Sequence, residues 1–186
     1  MNRKQLGVTI VLICLMGLLF VGQRIFNERF QSISLMNNNI TDFTEYTDKD
    51  KEISFKLPSQ WENGDRSLPG NYITYYKSFS DSSLGITGYV QLINYKGDDK
   101  ALIEKDKEYI EGEIGNYSLD SYQSKNYKGY KASFIVTGEN KRETFYDVYY
   151  LKIKGEKLVK FSFMVDGKYY KTNYQDIFKV LVDSVK

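Results

Sequence analysis

The chain contains no histidine. That absence removes Ser-His-Asp and Cys-His nucleophilic systems, His-ligated zinc and the most common general base. Its single cysteine, Cys14, stands inside an apolar run, so thiolate catalysis and cysteine metal sites go as well. Gly64, Gly85 and Gly88 have neither P-loop nor dinucleotide spacing. Carboxylates are what remain. Asp98-Asp99 precede a helical segment and read as its cap. Asp48, Asp50 and Glu52 alternate with Lys49 and Lys51, the pattern of a solvated edge. Asp147 differs, because it lies within the aromatic strand Phe145-Tyr146-Asp147-Val148-Tyr149-Tyr150. Buried there, it would be a site candidate. The base rate for aspartate points instead to a solvent-facing edge position or a tyrosine hydroxyl partner.

Tyr149 and Tyr150 beside it are candidates for a recognition surface. The 17 tyrosines include adjacent pairs at Tyr75-Tyr76, Tyr149-Tyr150 and Tyr169-Tyr170. Neighbours in a strand point to opposite faces, so each strand pair places a tyrosine on both sides of a sheet. A glycan- or peptide-binding surface competes here with ordinary packing under a wet hydroxyl, and packing is the more economical reading. No catalytic residue, cofactor or metal site is expected, and the chain reads as a protein that is not an enzyme.

The elements that carry these residues begin with Leu6–Gly22, an uncharged apolar segment preceded by Arg3 and Lys4. As a helix it is about 26 Å long, close to a thin bilayer's hydrocarbon core. A cleavage site needs small residues at −3 and −1, but Gly22 would put Phe20 at −3 and Gly17 would put Leu15 there. Cys14 follows Leu12-Ile13 and the apolar run continues behind it, which does not suit a lipoprotein. An uncleaved signal anchor is the expectation. The positive-inside rule mildly favours a cytoplasmic stretch over residues 1–5 and an extracytoplasmic domain. The expected division is an anchor over 6–22, a juxtamembrane segment and linker over 23–42, and one folded domain over 43–186.

The whole chain carries 26 basic and 24 acidic residues. Setting aside Arg3, Lys4, Arg24, Arg29 and Glu28 leaves 22 basic and 23 acidic residues. The basic excess therefore belongs to the membrane flanks, and no electrostatic case for nucleic-acid binding survives. Without a disulfide the domain rests on its core, for which about 145 residues are ample. The disulfide-free composition, rich in lysine, tyrosine and asparagine, suits a bacterium.

Between Gln23 and Met36 an apolar row continues at Phe26, Phe30 and Ile33, either extending the anchor helix or lying on the membrane surface. Asn37-Asn38-Asn39 breaks it. Alternation dominates beyond. Ile53, Phe55 and Leu57 form one buried strand face, and Asn71–Phe79 with Leu84–Tyr95 form a hairpin across Ser80–Ser83. Tyr130, Ala132, Phe134 and Val136 line another strand. Glu143–Lys154 and Lys157–Asp166 flank Gly155-Glu156, which suits a two-residue type II′ turn. Two helices are expected. Lys100–Glu111 carries Leu102, Tyr109 and Ile110 on one side, and a C-terminal helix carries Tyr174, Ile177, Phe178, Leu181, Val182 and Val185 behind a capping box at Thr172–Gln175. This is an α+β pattern, an antiparallel sheet flanked by helices and preceded by one transmembrane helix.

Ile53-Ser54-Phe55-Lys56-Leu57-Pro58-Ser59-Gln60-Trp61 resembles the opening signature of the PsbP family, with Phe55 and Leu57 in an apolar strand running into Pro58 and then Trp61. Thr74–Asn94 resembles that family's next hairpin, Lys157–Phe163 its last strand and Tyr169–Ser184 its closing helix. The resemblance runs in order from Phe43 to Lys186, with Pro-x-x-Trp its specific element. It implies the antiparallel sheet and flanking helices that PsbP shares with the Ran-binding Mog proteins, and a docking or assembly role. Without histidine, the photosystem role and any histidine-based metal site do not carry over. Physically, Pro58 ends its strand by removing a ladder donor, and Trp61 is large enough to seal one end of the core. The expected function is a membrane-anchored, extracytoplasmic interaction module whose partner is another envelope protein. A carboxylate-dependent enzyme acting on envelope material through Asp147, and a carrier of a small apolar ligand, stand as alternatives.

Overall fold

A computed structural model describes residues 3–138 and 141–186. Helix α1 spans Arg3–Asn37 without interruption. Its stretch Gln5–Gln23, 19 residues with none buried, is long and apolar enough to cross a membrane; a signal sequence meets the same two conditions. The helix ends where the three asparagines begin. Asn39 takes a left-handed conformation (φ 55°), the Asn39 N–H bonds the Met36 carbonyl and the Ile40 N–H bonds that of Leu35. This is a Schellman stop, with asparagine in the position that tolerates positive φ.

Strands β1 (Phe43–Thr47) and β2 (Ser54–Pro58) form a separate antiparallel hairpin. The other seven strands make one antiparallel sheet. In chain order they are β3 (Glu62–Asp65), β4 (Ile73–Asp81), β5 (Ile86–Asn94), β6 (Glu113–Gln123), β7 (Lys128–Thr137), β8 (Glu143–Lys152) and β9 (Lys157–Asp166). Across the sheet they run β3-β4-β5-β9-β8-β7-β6, with β9 in the middle and β3 and β6 at the edges. Helix α2 (Asp99–Glu108) joins β5 to the far edge, and the chain then folds back strand by strand to the centre. Helix α3 (Tyr174–Asp183) closes the chain. The result is the expected α+β fold.

Alternation in the strands gives the sheet two buried faces. On one, Val159, Phe161, Phe163 and Val165 of β9 join Ile86, Val90 and Leu92 of β5 and Tyr149 and Leu151 of β8. The hairpin and α3 cover this face. Phe178 stacks on Phe163 at 4.1 Å, and Phe55 meets Phe161 edge-on at 5.5 Å. Burying each such ring contributes roughly 1.5–3 kcal/mol. Gly88 keeps this layer flat, because a Cβ there would collide with the Phe79 ring and the Ser162 carbonyl. The opposite face, with Ile93, Ala132, Phe134, Val148, Tyr150 and Leu158, is covered by Leu102 and Ile103 of α2.

The signature residues are structural. Phe55, Leu57 and Trp61 are at most 2% exposed, and Pro58 is the last residue of β2. Trp61 stacks on Phe79 at 5.4 Å, while its Nε1–H finds no acceptor among the described residues.

Several local expectations are corrected. Helix α2 stops at Glu108, which leaves Tyr109 outside it and 74% exposed; Ile103 takes the buried place beside Leu102. Asn173 caps α3 with helical backbone angles and no side-chain bond, so the Thr172–Gln175 capping box does not form. The β8–β9 turn is one residue longer than two, because the Ile153 N–H bonds the Lys157 carbonyl across Lys154–Glu156. Asp48 is buried, and its two oxygens accept the Ile53 and Asp50 N–H groups at 2.8 and 3.2 Å, holding the β1–β2 turn. Asp98 behaves as read, accepting the Ala101 N–H at 3.1 Å.

The end of α1 is not a loose linker. The Ser34 hydroxyl donates to Asp176 of α3 at 3.0 Å, Asn38 donates to the Ser34 carbonyl at 2.7 Å, and both residues are buried. Leu35 packs against the same core. The apolar helix therefore enters the domain as one continuous rod.

Candidate functional site

Asp147 sits in β8, opposite Ser133 of β7 and Phe163 of β9. It is 6% exposed, which corrects the expectation of a solvent-facing edge residue or tyrosine partner. Strand register explains the burial: β8 is an interior strand, and position 147 shares the face of Tyr149 and Leu151. Its charge is matched by neighbours on β7. The Ser133 hydroxyl donates to Asp147 Oδ1 at 2.5 Å, and Lys131 Nζ stands 3.1 Å from the same oxygen. Lys131 also lies over the Tyr149 ring, 5.4 Å from its centroid. Asp147 and Ser133 border a cleft of about 160 Å³ shaped by Asn116, Phe145, Tyr170 and Phe178, with Tyr170 stacked on Phe145 at 3.9 Å.

The cleft is short of what glycoside hydrolysis requires. That chemistry needs two carboxyls about 5–10 Å apart across a substrate. Asp147 is the only acid among the described residues lining this cleft. What the trio can do is fix β7 to β8, while Asp147 and Ser133 present a hydrogen-bonding floor to a small polar group. Among the described residues no three acidic, cysteine or histidine side chains gather as a metal would need.

Tyr149 and Tyr150 point to opposite faces, and both are core residues, 2% and 4% exposed, not parts of a surface. Burial, with Asp147 second, pushes the Tyr149 phenol well above its ordinary pKa. Tyr150 leads to a second site that the sequence reading did not find. Its hydroxyl donates to Asp106 of α2 at 3.0 Å, and Lys160 of β9 reaches the same Asp106 oxygen at 2.6 Å. Lys160 is 8% exposed and lies over the Tyr89 and Tyr150 rings. Burial pulls its pKa down, but the Tyr89 hydroxyl and the Asp106 carboxylate outweigh burial and hold it above the ordinary lysine value. A lysine held charged cannot serve as a nucleophile or general base at neutral pH. Its role is to pin α2 to the sheet. A pocket of about 180 Å³ opens beside the pair, walled by Tyr117, Phe134 and Tyr146. Tyr117 donates to Glu104, and burial with that carboxylate raises its phenol to about 12.

Both cavities adjoin one irregularity. Between Gly115 and Ser118 the register of β6 against β7 shifts, and Asn116 in the bulge has φ 51°. Asn116 borders the Asp147 cleft and Tyr117 borders the Asp106–Lys160 pocket. A bulge at a sheet edge re-aims side chains in this way.

No protein-family profile matches the sequence, and no curated protein matches it. Solved structures do. The solution structure of cyanobacterial PsbP (CyanoP) from Synechocystis matches with a TM-score of 0.56 at 13% identity, over 79% of this chain and 93% of that one. A point mutant of Mog1 matches with a TM-score of 0.52 at 10% identity, over 78% of this chain and 96% of that one. LpqN of Mycobacterium tuberculosis, described as involved in cell envelope biogenesis, has a TM-score of 0.47 at 10% identity, over 78% of this chain and 90% of that one. At these identities the likeness is one of architecture. Over about four-fifths of its length the chain has the PsbP/Mog1-like fold, and a long apolar helix opens it.

Proposed function

We propose that this protein is a single-pass, membrane-anchored interaction module whose folded domain works outside the cytoplasm and binds without catalysis. The observation that carries the reading is the continuity of α1, which passes unbroken from an exposed apolar segment into hydrogen bonds with α3. Phe20 and Leu15, which would stand at −3 of Gly22 and Gly17, are too large for a cleavage site and argue against removal of that segment. Arg3 and Lys4 before the apolar run favour a cytoplasmic N-terminus. Asp147, the strongest candidate for chemistry, is committed to Ser133 and Lys131 and lacks a second acid. The two cavities suit the tip of a partner's side chain better than a lipid or a sugar chain.

The test is fractionation with mass measurement. Full-length protein should stay in membranes through salt and alkaline washes, and protease outside intact cells should digest the domain. A soluble product beginning after Gly17 or Gly22 would remove the anchor, and complete protection would reverse the orientation. The enzyme reading is tested separately with Asp147→Asn. Turnover of envelope glycan by the parent, lost in a folded Asp147→Asn form, would replace the binding reading with a catalytic one.

A further inference from the structure

The apolar face of α1 does not end with the span. Past Gln23, Phe26, Phe30, Ile33 and Met36 are 64%, 56%, 51% and 68% exposed. Headgroups extend only about 5–7 Å beyond each side of the hydrocarbon. At 1.5 Å per residue Ile33 and Met36 stand about 15 and 20 Å past Gln23. Lipid therefore covers Phe26 but cannot reach the far end of the row. The domain does not cover it either. Gln31, Ser34, Leu35 and Asn38 turn toward the domain, and at 100° per residue the exposed row lies about 150° around the helix from them.

The spacing says what kind of surface this is. Leu12, Leu19, Phe26 and Ile33 recur every seven residues, with Phe30 and Met36 flanking the row. A seven-residue apolar repeat is the seam of a left-handed helix pair. Gly22, where the helix leaves the span, lets two backbones approach closely. We infer that this row is the contact between two copies of the chain, paired in parallel through α1; the inference rests on the membrane-anchored reading above.

A second copy fits for three reasons. It leaves the bilayer on the same side at the same residue, so every row position meets its own counterpart. The row faces away from the docked domain, so a twofold axis along the seam keeps the two domains apart. The two halves of the seam also add up. Above the bilayer Phe30, Ile33 and Met36 are half or more exposed and bury on the order of 300 Å² per copy. Within it Leu12, Leu19 and Gly22 pack in lipid, where close approach and not area drives association. Arg29, seven residues from both Gly22 and Met36, also falls on the row, and its long stem lets the charged head leave the seam for water.

The experiment uses the full chain in its native membranes with Cys14→Ser removing the only thiol. Ile33→Cys should give disulfide-linked dimer on mild oxidation, several-fold more than Ser32→Cys, which stands about 100° away. Phe30→Gln with Ile33→Gln should shift the mass in micelles from dimer to monomer, with circular dichroism and membrane retention unchanged. Equal cross-linking at positions 32 and 33, or a monomeric mass for the parent, overturns the pairing. A monomer that survives alkaline washing at full length refutes the pairing alone, whereas a soluble, N-terminally shortened product refutes the anchor and the pairing together.

Discussion

Replacing Trp61 separates two opposing contributions at one buried side chain. The indole is 2% exposed and stacked on Phe79 at 5.4 Å. Emptying such a site costs about 3–5 kcal/mol. Against that, the indole N–H is buried without an acceptor among the described residues, and an unsatisfied donor costs about 1–3 kcal/mol. Trp61→Ala removes both, and the midpoints of the two ranges leave an expected net loss of about 2 kcal/mol. Trp61→Phe keeps a stacking ring and removes the orphan donor. Its smaller void, at about 24 cal/mol per Å³, costs on the order of 1 kcal/mol and is offset by the lost donor, so the change should be near zero. Urea unfolding in micelles, followed by circular dichroism, measures both. For a domain of this size about 2 kcal/mol corresponds to roughly 4–8 °C in Tm. A loss below about 1 kcal/mol for Trp61→Ala would mean an exposed indole and a different role for the signature. A loss of about 1 kcal/mol or more for Trp61→Phe, the uncompensated cost of its void, would refute the orphan-donor argument.

Three further outcomes follow from the polar groups. Asp106→Leu should cost about 2 kcal/mol by leaving Lys160 unpaired, less than a fully buried pair because the Asp106 side chain is 24% exposed; Asp106→Leu with Lys160→Met should recover most of it in the same urea assay. Asp147→Asn keeps an acceptor for Ser133 but strands Lys131, for an expected loss of about 1–2 kcal/mol by thermal melting. Burial, assisted by nearby carboxylates, raises the phenol pKa values of Tyr75, Tyr122 and Tyr150 above the ordinary 10. The fold thus favours their neutral form. That stability is intact below pH 10 and declines as pH rises from there toward the folded-state values. Tyrosinate absorbance and loss of circular dichroism should rise together in that window; ionisation of these phenols near pH 10 in a still-folded domain would contradict it.

The fold was legible where one face of a strand is apolar. Phe55 and Leu57, and Val159 through Val165, alternate because one face of each is pressed into the core. Strands β6 and β3 escaped that reading, since an edge strand buries little and β6 carries a bulge at Asn116–Tyr117 that resets its period. Asp147 was misjudged because its burial depends on β8 being interior, a fact of strand order that no local pattern carries. Asp106 and Lys160 lie 54 residues apart and meet only because α2 crosses the face on which β9 is central. The Thr172–Gln175 motif shows the converse. Its residue types were right for a capping box, yet α3 starts with Asn173 already helical and no side-chain bond.

On the membrane-anchored reading proposed above, the unbroken helix sets the domain's height over the bilayer and its bearing relative to the span. From Gln23 to Asn37 the rod rises about 21 Å. A flexible tether of equal length would have an r.m.s. reach of about 20 Å and let the domain sweep a hemisphere of that radius. The rod instead holds it at one height, with its edges fixed relative to the faces of the spanning helix. Binding would then demand a partner whose epitope stands at that height, and would favour such a partner through a high local concentration. Residue number becomes a dial. Two residues inserted after Gln23 lift the domain by about 3 Å but swing it through about 200°, whereas seven lift it by about 10 Å and leave its bearing within about 20°.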